Sequence, residues 1–158
     1  MSKIGLLLAL LVLAAGCGGP RTNIVEGAAP TTNAADAAEP AGISIPAIGV
    51  DVGQLDTFGL DNKGNYQCPP DPNTVAWNRG GTLPGESGLA LIVASAEGPF
   101  RRLSELKAGD LVYITRAGGD RLTFKTIDAS PRTSSAIIQL AGCGDQTVSA
   151  KYAELSPQ

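Results

Sequence analysis

The sequence contains no histidine among its 158 residues. That absence removes the side chain that most often moves protons near neutral pH, and with it the commonest metal ligand. Aromatic residues are scarce, at three Phe, three Tyr and one Trp, so a core must be built mainly from aliphatic side chains. Charged residues make up 17 %, the net charge is −3, and no basic run occurs. Phosphate binding needs a basic stripe, so nucleic acid is not expected as a partner. There is no C-x-x-C pair, no cluster with metal-ligand spacing and no glycine-rich phosphate loop. Neither a metal nor any other cofactor is expected. The length allows one folded domain and little else.

One long apolar run is present, and it opens the chain: "MSKIGLLLALLVLAAGCGG". Lys3 and the terminal amine form a short positive region, and Ile4 to Ala15 is an apolar stretch of twelve residues. Twelve residues are too few to cross a bilayer comfortably and fit the apolar part of an export signal. The small residues before Cys17 resemble a bacterial lipobox, in which the cysteine carries a diacylglyceryl thioether and the peptide is cut just before it. An ordinary secretory signal, with Cys17 incidental, is the alternative. The lipobox reading makes residues 1–16 a signal peptide. Cys17 then anchors the protein to the outer face of a bacterial cell membrane, each buried CH₂ contributing about 0.8 kcal/mol. If the lipobox is not used, the protein is secreted.

Residues 17–42 continue as an Ala-, Thr- and Pro-rich stretch with few large apolar residues. Such a stretch cannot offset its ordering entropy, and it is expected to be a disordered tether. The folded domain is then expected over 43–158. It retains two cysteines, Cys68 and Cys143, and outside the cytoplasmic membrane such a pair can form a disulfide.

Within that domain, "ISIPAIGVDV" reads as a strand interrupted by Pro46. "QLDTFGLDNKGNYQCP" reads as two short extended pieces around a turn at "DNKGN". "DPNTVAWNRG", with its Asp-Pro start and Gly end, predicts a helical turn or two. "SGLALIVASA" is a continuous apolar run of strand length, expected at the centre of a sheet. "PFRRLSEL" predicts a short helix. "DLVYITRA" and "RLTFKTIDA" alternate and are joined across "GG", a hairpin signal, and "SAIIQLAGC" and "TVSAKYAEL" supply two further strands. The spacing predicts an all-β, mostly antiparallel closed barrel with one or two short helices.

Three stretches, "ISIPAIGVD" (43–51), "VAWNRGGTLPGESGLALI" (75–92) and "FRRLSELKAGDLVYITR" (100–116), together resemble the class E/F branch of the sortases found in actinobacteria. The resemblance covers most of 43–143 and implies an eight-stranded sortase β-barrel. It also implies a cysteine transpeptidase that cuts a sorting signal of an exported protein and passes the acyl group to a cell-wall amine or to water. In that family a cysteine attacks the carbonyl, a histidine serves as acid and base, and an arginine stabilises the oxyanion.

Carried over position by position, the resemblance puts Cys143 at the nucleophile's place, at the end of "IIQLAGCG". The other reading of Cys143 is a buried structural thiol. The histidine position falls on Ser95 and the arginine position near Gln146 or Thr147. Serine shuttles no protons at neutral pH. Glu97, two residues on, raises rather than lowers a neighbouring thiol's pKa and reads as a solvated loop carboxylate. Lys151 is the one cation after Cys143, and it lacks the planar fork of arginine. The connection "SPRTSS" (130–135) is short where the family has a long loop beside the peptide groove.

Cys68, in "YQCPPDPN", belongs to a segment that the sortase fold can lay beside that groove. A bond to Cys143 would then close a loop of about 75 residues and cap the nucleophile. Two thiols too far apart to bond are the alternative.

The expectation is a membrane-anchored, extracytoplasmic sortase-like domain without a working triad, acting as a binding or assembly module at the cell envelope. Its partner would be an exported protein or peptide with a sorting-signal-like segment, or another envelope protein. The alternative is an active cysteine transpeptidase or hydrolase that activates Cys143 in an unusual way, through backbone N–H groups or a helix pole. A redox role for the cysteine pair is a third and smaller possibility.

Overall fold

A computed structural model describes residues 34–128, 134–144 and 149–157. Cys17, the signal-like segment, most of the tether, Gln146, Thr147 and most of the "SPRTSS" connection lie outside the described residues.

Nine strands form one sheet. They are β1 (Pro40–Ile45), β2 (Val50–Val52), β3 (Asp56–Phe58), β4 (Val75–Asn78), β5 (Gly88–Ser95), β6 (Leu111–Arg116), β7 (Arg121–Ile127), β8 (Ala136–Cys143) and β9 (Ser149–Leu155). Their order across the sheet is β2-β1-β6-β7-β9-β8-β5-β4-β3. The two pairings β3–β4 and β5–β8 are parallel, and the other six are antiparallel. Residues from β1 and β2 at one end of this order share a single buried cluster with Val75 and Trp77 of β4 near the other end. The sheet therefore curls around one core. This is the all-β, mostly antiparallel fold expected, a curled sheet with nine strands where the resemblance implies eight.

β4 was not expected as a strand. The Asp-Pro signal at residues 71–72 caps no helix. The Asp71 carboxylate instead accepts the Asn73 N–H (2.9 Å), and the Asp71 carbonyl accepts the Thr74 N–H (3.0 Å), closing a turn. The following Val75–Trp77 is β-branched and aromatic, and it pairs with both β3 and β5. Tertiary pairing thus overrides a local helix-start signal. "NYQCP", expected to be extended, forms no strand. "PFRRLSEL" shortens to a single 3-10 turn at Leu103–Glu105.

The Pro46 interruption turns one expected strand into a small hairpin. A 3-10 turn at Pro46–Ile48 reverses the chain, and β1 pairs with β2 in the register Ile43↔Val52. Regular structure also starts ahead of Ile43. A short helix, α1 (Ala34–Ala38), fits the high helix propensity of its alanines. Pro40 then opens β1 against Arg116 of β6. The Glu39 carbonyl accepts the Ala117 N–H (2.8 Å), and the Glu39 carboxylate pairs with Arg79 (3.0 Å).

The β6–β7 hairpin forms where "GG" predicts it. Gly119 takes the left-handed conformation (φ 93°) that a side chain there would resist, and Thr115 pairs with Arg121 across the turn.

β5 is flanked by β4 and β8, which explains its continuous apolar run. Ala90, Ile92 and Ala94 face the main core. Leu91 and Val93 face the other side, where Val93 joins Ala76 and Ala141 in a second small cluster covered by Phe58 and Tyr66. A strand covered on both faces needs no polar alternation.

Candidate functional site

The parallel ladder between β5 and β8 pairs eight residues and ends with Ser95 beside Cys143. Side chains alternate along a strand, so Val93 and Ser95 share one face with Ala141 and Cys143. That is the face of the small second cluster, outside the main core. The strand ends are tied together, with the Ala96 N–H donating to the Cys143 carbonyl at 2.7 Å. The Ser95 hydroxyl accepts the Glu97 N–H (3.1 Å), so it is engaged in its own turn. Glu97 is exposed and lines a pocket of about 190 Å³ with Cys68, Ser95 and Cys143.

Cys143 is buried, with 4 % of its surface exposed, and it is disulfide-bonded to Cys68. The two Cα atoms are 5.6 Å apart, within the span that a disulfide bridges. Cys68 itself is exposed. It lies in the segment between β3 and β4 and lines three cavities of about 410, 350 and 190 Å³. The segment therefore stands as a partition at the end of β8.

Tyr66, two residues before Cys68, packs on the second cluster, with its ring 6.3 Å from that of Phe58. Burial first, and then the nearby Tyr152, hold the Tyr66 phenol above the ordinary tyrosine range. Sequence reasoning passed over Tyr66. The signal that pointed to it was the unbroken apolar run of β5, which requires cover on its second face.

The cation after Cys143 falls on the other side. Lys151 pairs with Leu140 in the β8–β9 ladder, and Leu140 belongs to the main core. Opposite residues in an antiparallel pair share a face, so Lys151 and Cys143 lie on different faces of the sheet. Trp77 is a core residue. Among the described residues no cluster of His, Cys, Asp and Glu could hold a metal ion, and no helix is long and apolar enough to cross a membrane.

The arrangement brings together Cys68, Ser95, Glu97 and Cys143. Among the described residues it includes no side chain suited to shuttle a proton at neutral pH, and the Cys143 sulfur is bonded to that of Cys68.

No family model matches the chain, and no curated protein matches it. Solved structures do. A sortase D5 transpeptidase from Clostridium perfringens superposes with a TM-score of 0.57 at 18 % identity, over 75 % of this chain and 79 % of that one. Sortase C from Clostridium perfringens SM101 gives 0.55 at 17 % identity, over 75 % and 70 %. Sortase A from Corynebacterium diphtheriae gives 0.55 at 21 % identity, over 76 % of this chain and 61 % of its own length. The chain has the sortase fold.

Proposed function

We propose that this is a sortase-family domain of the class E/F type that has lost transpeptidase chemistry and binds a peptide or protein partner at the cell envelope. The observation that carries the reading is the Cys68–Cys143 disulfide. A sulfur held in a disulfide has no thiolate with which to attack a carbonyl. The family's histidine position falls on Ser95, whose hydroxyl accepts the Glu97 N–H and does not shuttle protons at neutral pH. Gln146 and Thr147, near the oxyanion-stabilising position, carry no charge.

The partner class follows from the fold's relatives. One sortase C structure from Clostridium perfringens contains the C-terminal cell wall sorting motif. This supports a partner with a sorting-motif-like segment and an extracytoplasmic location, and the lipobox-like residues before Cys17 support attachment through that cysteine.

A fluorescent peptide with such a motif tests the reading. The full chain should bind it reversibly, leave it uncut and form no acyl adduct on Cys143, and Cys143→Ala should still bind it. A covalent peptide adduct on Cys143, with release of the C-terminal fragment, would establish an active transpeptidase instead.

A further inference from the structure

The segment between β3 and β4 is held to the barrel in an unusual way. Residues 59–73 include no buried residue, and only Tyr66 and Pro69 are half-buried. Among the described residues, every hydrogen bond this segment makes is internal or reaches only the adjoining Thr74. Asp61 binds the N–H groups of Lys63, Gly64 and Asn65, and Asp71 binds those of Asn73 and Thr74. No hydrogen bond from it crosses to another strand of the sheet.

Fixing a residue's backbone costs about 1–2 kcal/mol. A stretch without buried apolar residues has little transfer free energy to set against that cost. Two contacts help. Tyr66 packs on the cluster of Ala76, Val93 and Ala141, and the Pro72 carbonyl presses against Gly98 so closely that a Cβ there would overlap it. The one covalent tie is Cys68 to Cys143.

The two residues differ in exposure: Cys68 is exposed and Cys143 is buried. An incoming thiolate meets Cys68 first. We propose that the Cys68–Cys143 bond is a site of thiol–disulfide exchange with a dithiol reductant, and that its reduction releases residues 59–73 from the barrel. One thiolate of the reductant attacks the Cys68 sulfur, the Cys68–Cys143 bond breaks, and Cys143 departs as a thiolate that takes up a proton. The second thiol of the reductant then attacks its own sulfur in the mixed disulfide and expels Cys68 as a thiol. The two electrons come from the dithiol, which leaves as a disulfide.

Release removes Tyr66 from the outer face. It uncovers the small apolar floor of Ala76, Val93 and Ala141 and merges the cavities that Cys68 now divides. The device rests on the same Cys68–Cys143 bond as the function proposed above, but it does not depend on which partner the domain binds, and the proteolysis below reads it without any peptide.

The test uses the oxidised full chain, treated with dithiothreitol and then with trypsin or chymotrypsin. Reduction in the folded state should speed cleavage after Lys63 and Tyr66 by about tenfold or more, because cutting follows the population of the open form. The fragment from β4 onward should stay intact. With a limiting monothiol, the first mixed disulfide should form on Cys68. Four results would overturn the proposal: no reduction without denaturant, unchanged cleavage once both thiols are alkylated, cutting throughout the strands at the same rate, or a first adduct on Cys143. Cys68→Ser should be cut rapidly without reductant and be indifferent to it. If that variant fails to fold, the reduced wild-type chain decides the matter.

Discussion

Tyr66 and Asp61 give the segment over the barrel end opposite sensitivities to pH. Burial and Tyr152 raise the Tyr66 pKa above its ordinary value, so its contribution to stability is complete below about pH 10 and is lost as pH rises further. Asp61 behaves in the reverse sense. Its carboxylate is held below the usual range by the Asn65 N–H, then the Asn65 side chain and the Lys63 N–H. Its contribution is present above about pH 4 and is lost as pH falls through the lowered value. Ultraviolet titration of the three tyrosines should show one that ionises late, and Tyr66→Phe should remove that component. If the late component survives in Tyr66→Phe, the packing assigned to Tyr66 is wrong. In acid, the turn from Asp61 to Asn65 should loosen before the strands do, and Asp61→Asn should abolish that early step in amide exchange.

At the scale of elements, the centre of the molecule is the parallel pair β5 and β8, flanked by β4 and β9. Ile92 and Leu140 face each other in that pair and are fully buried. Ile92→Ala and Leu140→Ala should each destabilise the domain by about 2–5 kcal/mol in denaturant unfolding. A cost well under 1 kcal/mol would mean that the core does not lie where the ladder puts it.

These strands were legible because their signals are non-local only in pairing, not in pattern. β6 and β7 alternate around a Gly-Gly turn, and β5 and β8 are unbroken apolar runs. β4 was not legible, because Asp71, Pro72 and the terminal glycines carry helix punctuation while the pairing that makes it a strand lies in β3 and β5. The site was legible in part. Cys143 at a strand end can be read from "LAGCG", but nothing near Cys68 in sequence shows what lies across from it. The cover that Tyr66 gives the second face is likewise a tertiary fact, inferable only from the absence of polar alternation in β5.

At the scale of the whole molecule, the disulfide closes a span of 75 residues that contains β4 to β7 and most of β8. In the chain-entropy model such a closure contributes roughly 4 kcal/mol by restricting the unfolded chain. Cys68→Ser should therefore lower the unfolding free energy by about that amount while leaving a folded barrel, as read by urea denaturation with and without reductant. Equal stabilities for the wild-type and variant chains would show that the closure constrains nothing.

The parallel register has a consequence for the order of events during folding. Gly88 pairs with Ala136, a separation of 48 residues, and the crossover between them includes the whole β6–β7 hairpin. Pairings of such range form late, after local hairpins have closed. Cys143 reaches its place at the end of β8 only when that ladder has zipped to its last pair. Until then no native pairing holds the two sulfurs together. Oxidation of Cys68 and Cys143 therefore marks completion: the bond is a seal on a finished domain, and chains that mispair their central strands should be recognisable by two unreacted thiols.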